Sequence, residues 1–272
     1  MEFDFPGNVV VNGSVENLHL SEGHNFYAAR PFTANDISYT HTYTMQSGRG
    51  EARGWETITL PFDVQSITHE SAGALTPFAL YQEAEDEKPF WLSELTEGGW
   101  QPASQIAANR PYIICMPNNW SYDEAYNVAG TVTFSAKGVT VPKTEAATTV
   151  SGSAYRFVPV TLNTEQADSV FALNVGEAYT AEDGRRYPEG SVFVRGLRAV
   201  QPFEGYITAA DAGAKVRYIP IGQDAATGMN DGRWTMYDVP GGEAYYDLSG
   251  RRIGKPTKTG TYLLKNGKRV QK

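Results

Sequence analysis

One cysteine, Cys115, rules out any disulfide within the chain, and only four histidines, His19, His24, His41 and His69, are available for metal or acid–base chemistry. Cys115 lies inside Tyr112-Ile113-Ile114-Cys115-Met116, where a small hydrophobe suits a strand interior. No stretch approaches the roughly 18 uninterrupted apolar residues that a membrane helix needs, so no transmembrane segment is expected. Charge is sparse as well: it makes up 20% of residues against 41% hydrophobic ones, a balance that folds rather than staying disordered. Met1-Glu2-Phe3-Asp4 runs straight into Pro6-Gly7 with no charged segment and apolar stretch behind it. Any leader is therefore expected to lie outside this sequence.

Catalytic signatures are equally scarce. The histidines show no H-E-x-x-H spacing, no Gly-x-Ser-x-Gly elbow is present, and Gly152-Ser153 reads as a turn. Glu83, Glu85, Asp86 and Glu87 lack the spaced ligands and glycine turn of a calcium loop, and read as a solvated hairpin tip. Carboxylates for glycoside cleavage need a separation of about 5 to 10 Å in space, and nothing along the chain nominates a pair. No catalytic residue, cofactor or metal site is expected.

What the chain has is strand chemistry. Its 16 Tyr, 12 Phe and 5 Trp suit pleated surfaces, and 27 Gly and 15 Pro supply turns. Ile37-Ser38-Tyr39-Thr40-His41-Thr42-Tyr43-Thr44-Met45 alternates large and small polar side chains, the pattern of a strand with one wet face. The same period recurs at Ile58, Leu60, Phe62 and Val64, and at Val132, Phe134 and Ala136. Further strands are predicted at 8–11, 17–21, 78–82, 111–116, 155–162, 170–175, 192–194, 205–209 and 216–221. Helical spacing is confined to short windows, chiefly Thr164 to Val170. The expected fold is all-β, with antiparallel β-sandwich-like units, two in tandem, and a short C-terminal β-hairpin tail.

Three landmarks recur in the same order. Thr59-Leu60-Pro61-Phe62 is echoed by Phe157-Val158-Pro159-Val160, Phe78-Ala79-Leu80 by Phe171-Ala172-Leu173, and Pro111-Tyr112-Ile113 by Pro202-Phe203 with Tyr206-Ile207 beyond. The division that follows is N-terminal strands over 1–46 packing on a first β unit at 47–145, and a second unit, its weak duplicate, at 146–222. A linker rich in Gly, Ala, Thr, Asn and Asp fills 223–243, and a basic tail occupies 244–272.

The tail stands apart electrostatically. Arg251, Arg252, Lys255, Lys258, Lys265, Lys268, Arg269 and Lys272 face one acid, Asp247, giving +7 from Tyr246 onward and leaving −15 for the rest of a chain with net charge −8. An acidic body does not suit nucleic acid, and an oppositely charged end marks an appended segment with its own partner. Asn266-Gly267 is a strong two-residue hairpin turn.

Two sets of residues resemble a known family. Tyr246-Asp247-Leu248-Ser249-Gly250-Arg251-Arg252, then Gly260-Thr261-Tyr262-Leu263 and Asn266-Gly267-Lys268-Arg269, resemble the C-terminal segment of secreted and surface proteins of Bacteroidetes. Asn17-Leu18-His19-Leu20, Trp55-Glu56-Thr57-Ile58-Thr59-Leu60-Pro61-Phe62-Asp63-Val64 and Ala108-Asn109-Arg110-Pro111-Tyr112-Ile113 resemble the β module near the C-terminus of that phylum's leucine-rich-repeat surface adhesins. The repeats themselves are absent from this sequence. The resemblance implies an extracytoplasmic, cell-surface or secreted protein. Its tail would be read by secretion or envelope machinery, or would serve electrostatic attraction to an anionic envelope or simple edge protection.

Trp91, Trp100 and Trp120, with Tyr122 and Tyr126, fall in or near predicted loops, where exposed rings stack on sugars. The expectations for function are ordered accordingly. A non-catalytic surface binding or adhesion protein, whose partner is an extracellular protein or glycan, comes first. A glycan-binding module using exposed Trp and Tyr comes second, and a glycan-cleaving enzyme last.

Overall fold

The structure is a computed structural model of the full chain and describes residues 10–47, 53–82, 86–117, 128–144, 149–151, 154–209 and 216–221, together with the backbone of four short strands between 245 and 271. No α-helix occurs among the described residues.

The first sheet uses β1 (Ser14–Leu20), β2 (Phe32–Tyr43), β3 (Glu56–Thr59), β4 (Ser66–His69), β5 (Gly73–Pro77), β6 (Lys88–Thr96), β7 (Gly99–Pro102), β8 (Pro111–Cys115) and β9 (Gly130–Val141). Its order is β1-β2-β9-β4-β5-β6-β8-β3, with β7 on β6. The second sheet uses β10 (Val150–Ser151), β11 (Tyr155–Pro159), β12 (Phe171–Leu173), β15 (Val192–Arg195), β16 (Gly205–Ala209) and β17 (Tyr218–Pro220), in the order β10-β11-β16-β12-β15-β17. Between β12 and β15 the chain makes a separate hairpin of β13 (Tyr179–Thr180) and β14 (Arg186–Tyr187). The tail strands β18 (Tyr245–Tyr246), β19 (Arg252–Ile253), β20 (Thr261–Leu264) and β21 (Arg269–Gln271) pair among themselves in the order β19-β18-β20-β21.

Alternation decides which face each strand buries. On β2, Ile37, Tyr39 and Tyr43 point inward, and their neighbours Thr40 and Thr42 are exposed and meet Thr133 and Thr131 of β9 across the wet face. The sheet curls, so that this half faces β3, β6 and β8 across a first core holding Ile58, Leu60, Phe62, Phe90, Leu92, Tyr112 and Ile114. The opposite faces of β6 and β8 present Trp91, Leu95, Ile113 and Cys115 to a second core shared with Phe157, Phe171, Leu173, Phe193 and Ile207. Both faces of β6 and β8 are thus covered. That accounts for the unbroken apolar run at 111–116, since a strand buried on both sides has no wet face to alternate with.

Two sets of four strands share one order and register. In the first unit β3, β8, β6 and β7 pair antiparallel in succession; in the second, β11, β16, β12 and β15 do so, with the same chain connectivity. Three backbone hydrogen bonds outside the ladders recur in matching places. Asn109 N–H donates to Leu60 O as Phe203 N–H does to Val160 O; Val64 to Ile106 as Thr164 to Val200; and Ala103 to Leu92 as Gly196 to Val170. Asn109 and Phe203 both have positive φ, +56° and +72°. This register makes Ile113 equivalent to Ile207, Leu95 to Leu173, and Trp100 to Phe193. All six lie in the second core, and the last two rings stack at 6.1 Å and 11°. The two units therefore meet through equivalent faces, in the self-complementary manner of a two-fold dimer interface.

Several expectations are corrected by this frame. Pro61 and Pro159 are not equivalent, nor are Pro111 and Pro202; the matching pairs are Thr59 with Pro159 and Pro111 with Gly205. Residues 78–80 form a turn, with Leu80 N–H bonded to Pro77 O and Leu80 54% exposed, and so do not match the strand Phe171–Leu173. Thr164 to Val170 is not helical: Thr164 bridges to Val200 and a turn follows, because one isolated turn cannot meet the cost of helix nucleation. Not every pairing is antiparallel either, since β1 runs parallel to β2, and β5 to β6. The linker at 223–243 lies outside the described residues, as do Glu83 and Glu85.

Candidate functional site

Where the first unit turns from β6 to β7 through Glu97-Gly98 alone, the second unit inserts residues 175–191 between the equivalent strands β12 and β15. The insertion is anchored by Asn174, 2% exposed, at its root. Its Oδ1 accepts from Ser191 and Val192 N–H at 3.0 Å each, and its Nδ2 donates to Glu177 O at 3.0 Å and Pro188 O at 2.9 Å. One amide thus meets all of its hydrogen-bonding capacity by closing the loop on itself.

The insertion then reaches back to the first unit. Gly54 N–H donates to Glu189 O at 2.9 Å and Trp55 N–H to Gly190 O at 3.0 Å. Beside this seam lies a cleft of about 580 Å³, lined on one side by Thr44, Met45, Gln46, Arg53 and Gly54 and on the other by Ala178, Arg186, Pro188 and Glu189. Its charged groups are two guanidiniums and one carboxylate. Alternation along the hairpin sends Arg186 into the cleft and its neighbour Tyr187 to the opposite face, where it pairs across the hairpin with Tyr179.

A second polar concentration sits on the inward face of β2. His41 Nε2 lies 2.8 Å from Glu56 Oε2 and His41 Nδ1 lies 3.1 Å from Glu22 Oε1, with side-chain exposures of 17% for His41, 15% for Glu56 and 60% for Glu22. Tyr39 stacks on the imidazole at 6.4 Å, and Tyr43 meets it edge-on at 4.5 Å. Burial by itself would lower the His41 pKa, but the hydrogen bonds and charges of Glu56 and Glu22 outweigh it and hold the group above its ordinary value. Burial, joined by those same carboxylates, also raises the Tyr39 and Tyr43 hydroxyls. Both ring nitrogens are therefore occupied by carboxylates. With Nε2 bonded to Glu56 and Nδ1 within ion-pair distance of Glu22, the ring ties β2 to two other segments of the chain, the arrangement of a clamp. None of the three residues lines the cleft.

The remaining histidines also fit structural or surface roles. His69 is buried, with Nε2 3.0 Å from Ala129 O and Nδ1 accepting from Ser71 and Ala72 N–H. His19 meets Ser38 and His24 meets Glu22 O at the surface. Among the described residues no group of three or more His, Cys, Asp or Glu side chains is arranged to hold a metal ion.

The aromatic candidates divide. Trp91 and Trp100, expected in loops, are 5% and 2% exposed in the second core, where Trp100 stacks on Phe193 and Trp91 stacks on Phe78 at 5.0 Å. They are placed there because β6 and β7 are covered by the second unit, a tertiary fact that no local pattern carries. Trp120, Tyr122 and Tyr126 lie outside the described residues. Of the tail cations, Arg252 and Arg269 fall on β19 and β21, whereas Arg251, Lys255, Lys258, Lys265, Lys268 and Lys272 lie outside the described residues. The insertion itself was missed by sequence reasoning. Tyr179, Gly184 and Tyr187 were its only local signal, two aromatics flanking a Gly turn.

No protein-family model, no curated protein and no solved structure matches this chain. No described helix is long and apolar enough to cross a membrane.

Proposed function

We propose that this is a non-catalytic binding protein of the cell surface or of a secreted fraction, whose ligand is held at the hairpin insertion beside the cleft between the two units. The observation that carries the reading is the asymmetry of the duplicate. The first unit completes the same four-stranded order with a two-residue turn, so the insertion is surplus to the fold, and loops held on a rigid scaffold are where binding residues gather. The cleft's one carboxylate and its lack of histidine favour binding over acid–base chemistry. The basic tail is assigned to sorting or envelope attachment, and its closure into a separate sheet supports its reading as an appendage.

The test replaces residues 175–191 by Glu-Gly, copying the first unit's turn, and compares labelled full-length and shortened proteins on arrays of immobilised glycans and extracellular-matrix proteins. The shortened protein is expected to keep its far-ultraviolet spectrum and lose retention. Equal retention of both would refute the assignment of the site.

A further inference from the structure

On the face of the hairpin away from the cleft, three tyrosines from three strands come together. Tyr179 and Tyr187 are direct partners across β13 and β14, with ring centroids 6.4 Å apart and planes 28° from parallel. Tyr218 of β17 completes the group at 5.2 Å from Tyr187 and 6.3 Å from Tyr179. All three are half-buried, in contrast to Trp100, Phe157 and Phe193, which lie fully buried in the second core. A hairpin that served only to close a loop has no need of three large rings at the surface.

The rim of the group supplies both kinds of hydrogen-bonding partner. Tyr218 hydroxyl lies 3.3 Å from Asp183 Oδ2, and the neighbouring Tyr187 hydroxyl, with some burial and the Asp183 charge, pushes its pKa up to about 12 and keeps its proton in place. Arg217 Nη1 lies 2.6 Å from Glu182 Oε1, and Arg185 Nε lies 3.4 Å from Asp183 Oδ2. These ion pairs are solvent-exposed, and such pairs add little to stability. Glu182 and Asp183 balance Arg185 and Arg217, so the face carries no net charge to attract a polyanion. Three rings are also far smaller than the roughly 1,000 Å² that a stable protein partner covers.

Rigid aromatic faces surrounded by alternating donors and acceptors match one ligand class, the sugar ring, which offers an apolar C–H face and a rim of hydroxyls. We propose that Tyr179, Tyr187 and Tyr218 form a saccharide-binding platform that takes neutral sugar units by stacking, with Glu182, Asp183, Arg185 and Arg217 meeting their hydroxyls. This deepens the non-catalytic binding reading and rests on it.

The experiment is affinity electrophoresis of the full chain through gels containing hydroxyethyl cellulose, xylan, galactomannan or laminarin, with a reducing-end assay on the same mixtures. Retardation on at least one polysaccharide is expected, weakened about tenfold in Tyr187→Ala and in Tyr179→Ala. Tyr187→Phe, which keeps the ring, should stay within about threefold of the parent, and unchanged melting curves would certify that the variants fold. Absence of retardation on all four, or retardation that both alanine variants leave intact, would overturn the platform while leaving the binding reading standing. Release of reducing ends would instead overturn the non-catalytic reading, and the platform would then be decided by the Tyr187→Ala comparison alone.

Discussion

Gly190 is the tightest point of the seam between the units, and replacing it isolates what that seam contributes. Its φ is +60°, and a Cβ there would lie 2.4 Å from Trp55 O and 2.5 Å from Trp55 N. Both neighbours are backbone, so no change of rotamer relieves the contact. The left-handed conformation costs a non-glycine residue about 1–2 kcal/mol. If the strands then separate, the Trp55–Gly190 and Gly54–Glu189 hydrogen bonds go as well, each worth about 0.5–1.5 kcal/mol. Gly190→Ala should therefore destabilise the protein by about 2–5 kcal/mol. Gly184 provides the control within the same insertion: its φ is +82°, and a Cβ would meet nothing within 4 Å. Gly184→Ala incurs only the conformational cost of about 1–2 kcal/mol. Urea unfolding followed by tryptophan fluorescence measures both, at an unchanged slope with denaturant. Equal midpoint shifts for the two variants would refute the reasoning, because backbone contact at the seam would then contribute nothing.

Other expectations follow from the cores and the clamps. Trp100→Ala and Phe193→Ala should each cost about 3–5 kcal/mol, and the double variant should cost less than their sum because the rings touch; additive losses would contradict the stack. Because the folded His41 pKa is raised above an unfolded value of about 6.5, its contribution is full below that pH and is lost as pH climbs through the folded value. Melting temperature should accordingly decline over that range in the parent and vary less in His41→Asn, and parallel profiles would remove the clamp. Asn174→Asp places an acceptor against Glu177 O and Pro188 O, so stability should fall by about 2–4 kcal/mol; differential scanning calorimetry near pH 7 checks this. Cys115, buried with its thiol pKa raised by desolvation, should react with a thiol reagent only after denaturant is added, which absorbance at the released thiolate's wavelength would report.

Strand identity was legible wherever one face is wet. The Ser/Thr alternation on β2 and β9 marks both faces correctly, down to the inward residues Ile37, Tyr39 and Phe134. His41 also sits on that inward face, and its partners Glu22 and Glu56 arrive from elements that only tertiary structure brings near. The recurring proline landmarks are not structural equivalents, because proline marks where a strand ends rather than which residue it pairs with. Phe203 could not have been read at all. It occupies the place of Asn109 with φ +72° and enters the first unit's core against Tyr39 at 5.0 Å, a conformation that a bulky side chain adopts only when its surroundings enforce it. The insertion escaped for a related reason. Its two strands are two residues each, too short for any period to register.

The layer made by β6 and β8 has a practical meaning for anyone who would cut this chain. A fragment ending after β9 would leave Trp91, Leu95, Trp100 and Ile113 facing water, and a fragment beginning at β10 would do the same to Phe157, Phe171, Phe193 and Ile207. Either piece would carry an apolar face looking for its missing half, with self-association as the ready outcome. The two units behave in this respect as a dimer whose subunits are tied in sequence, and the smallest part that can be expressed alone is the pair.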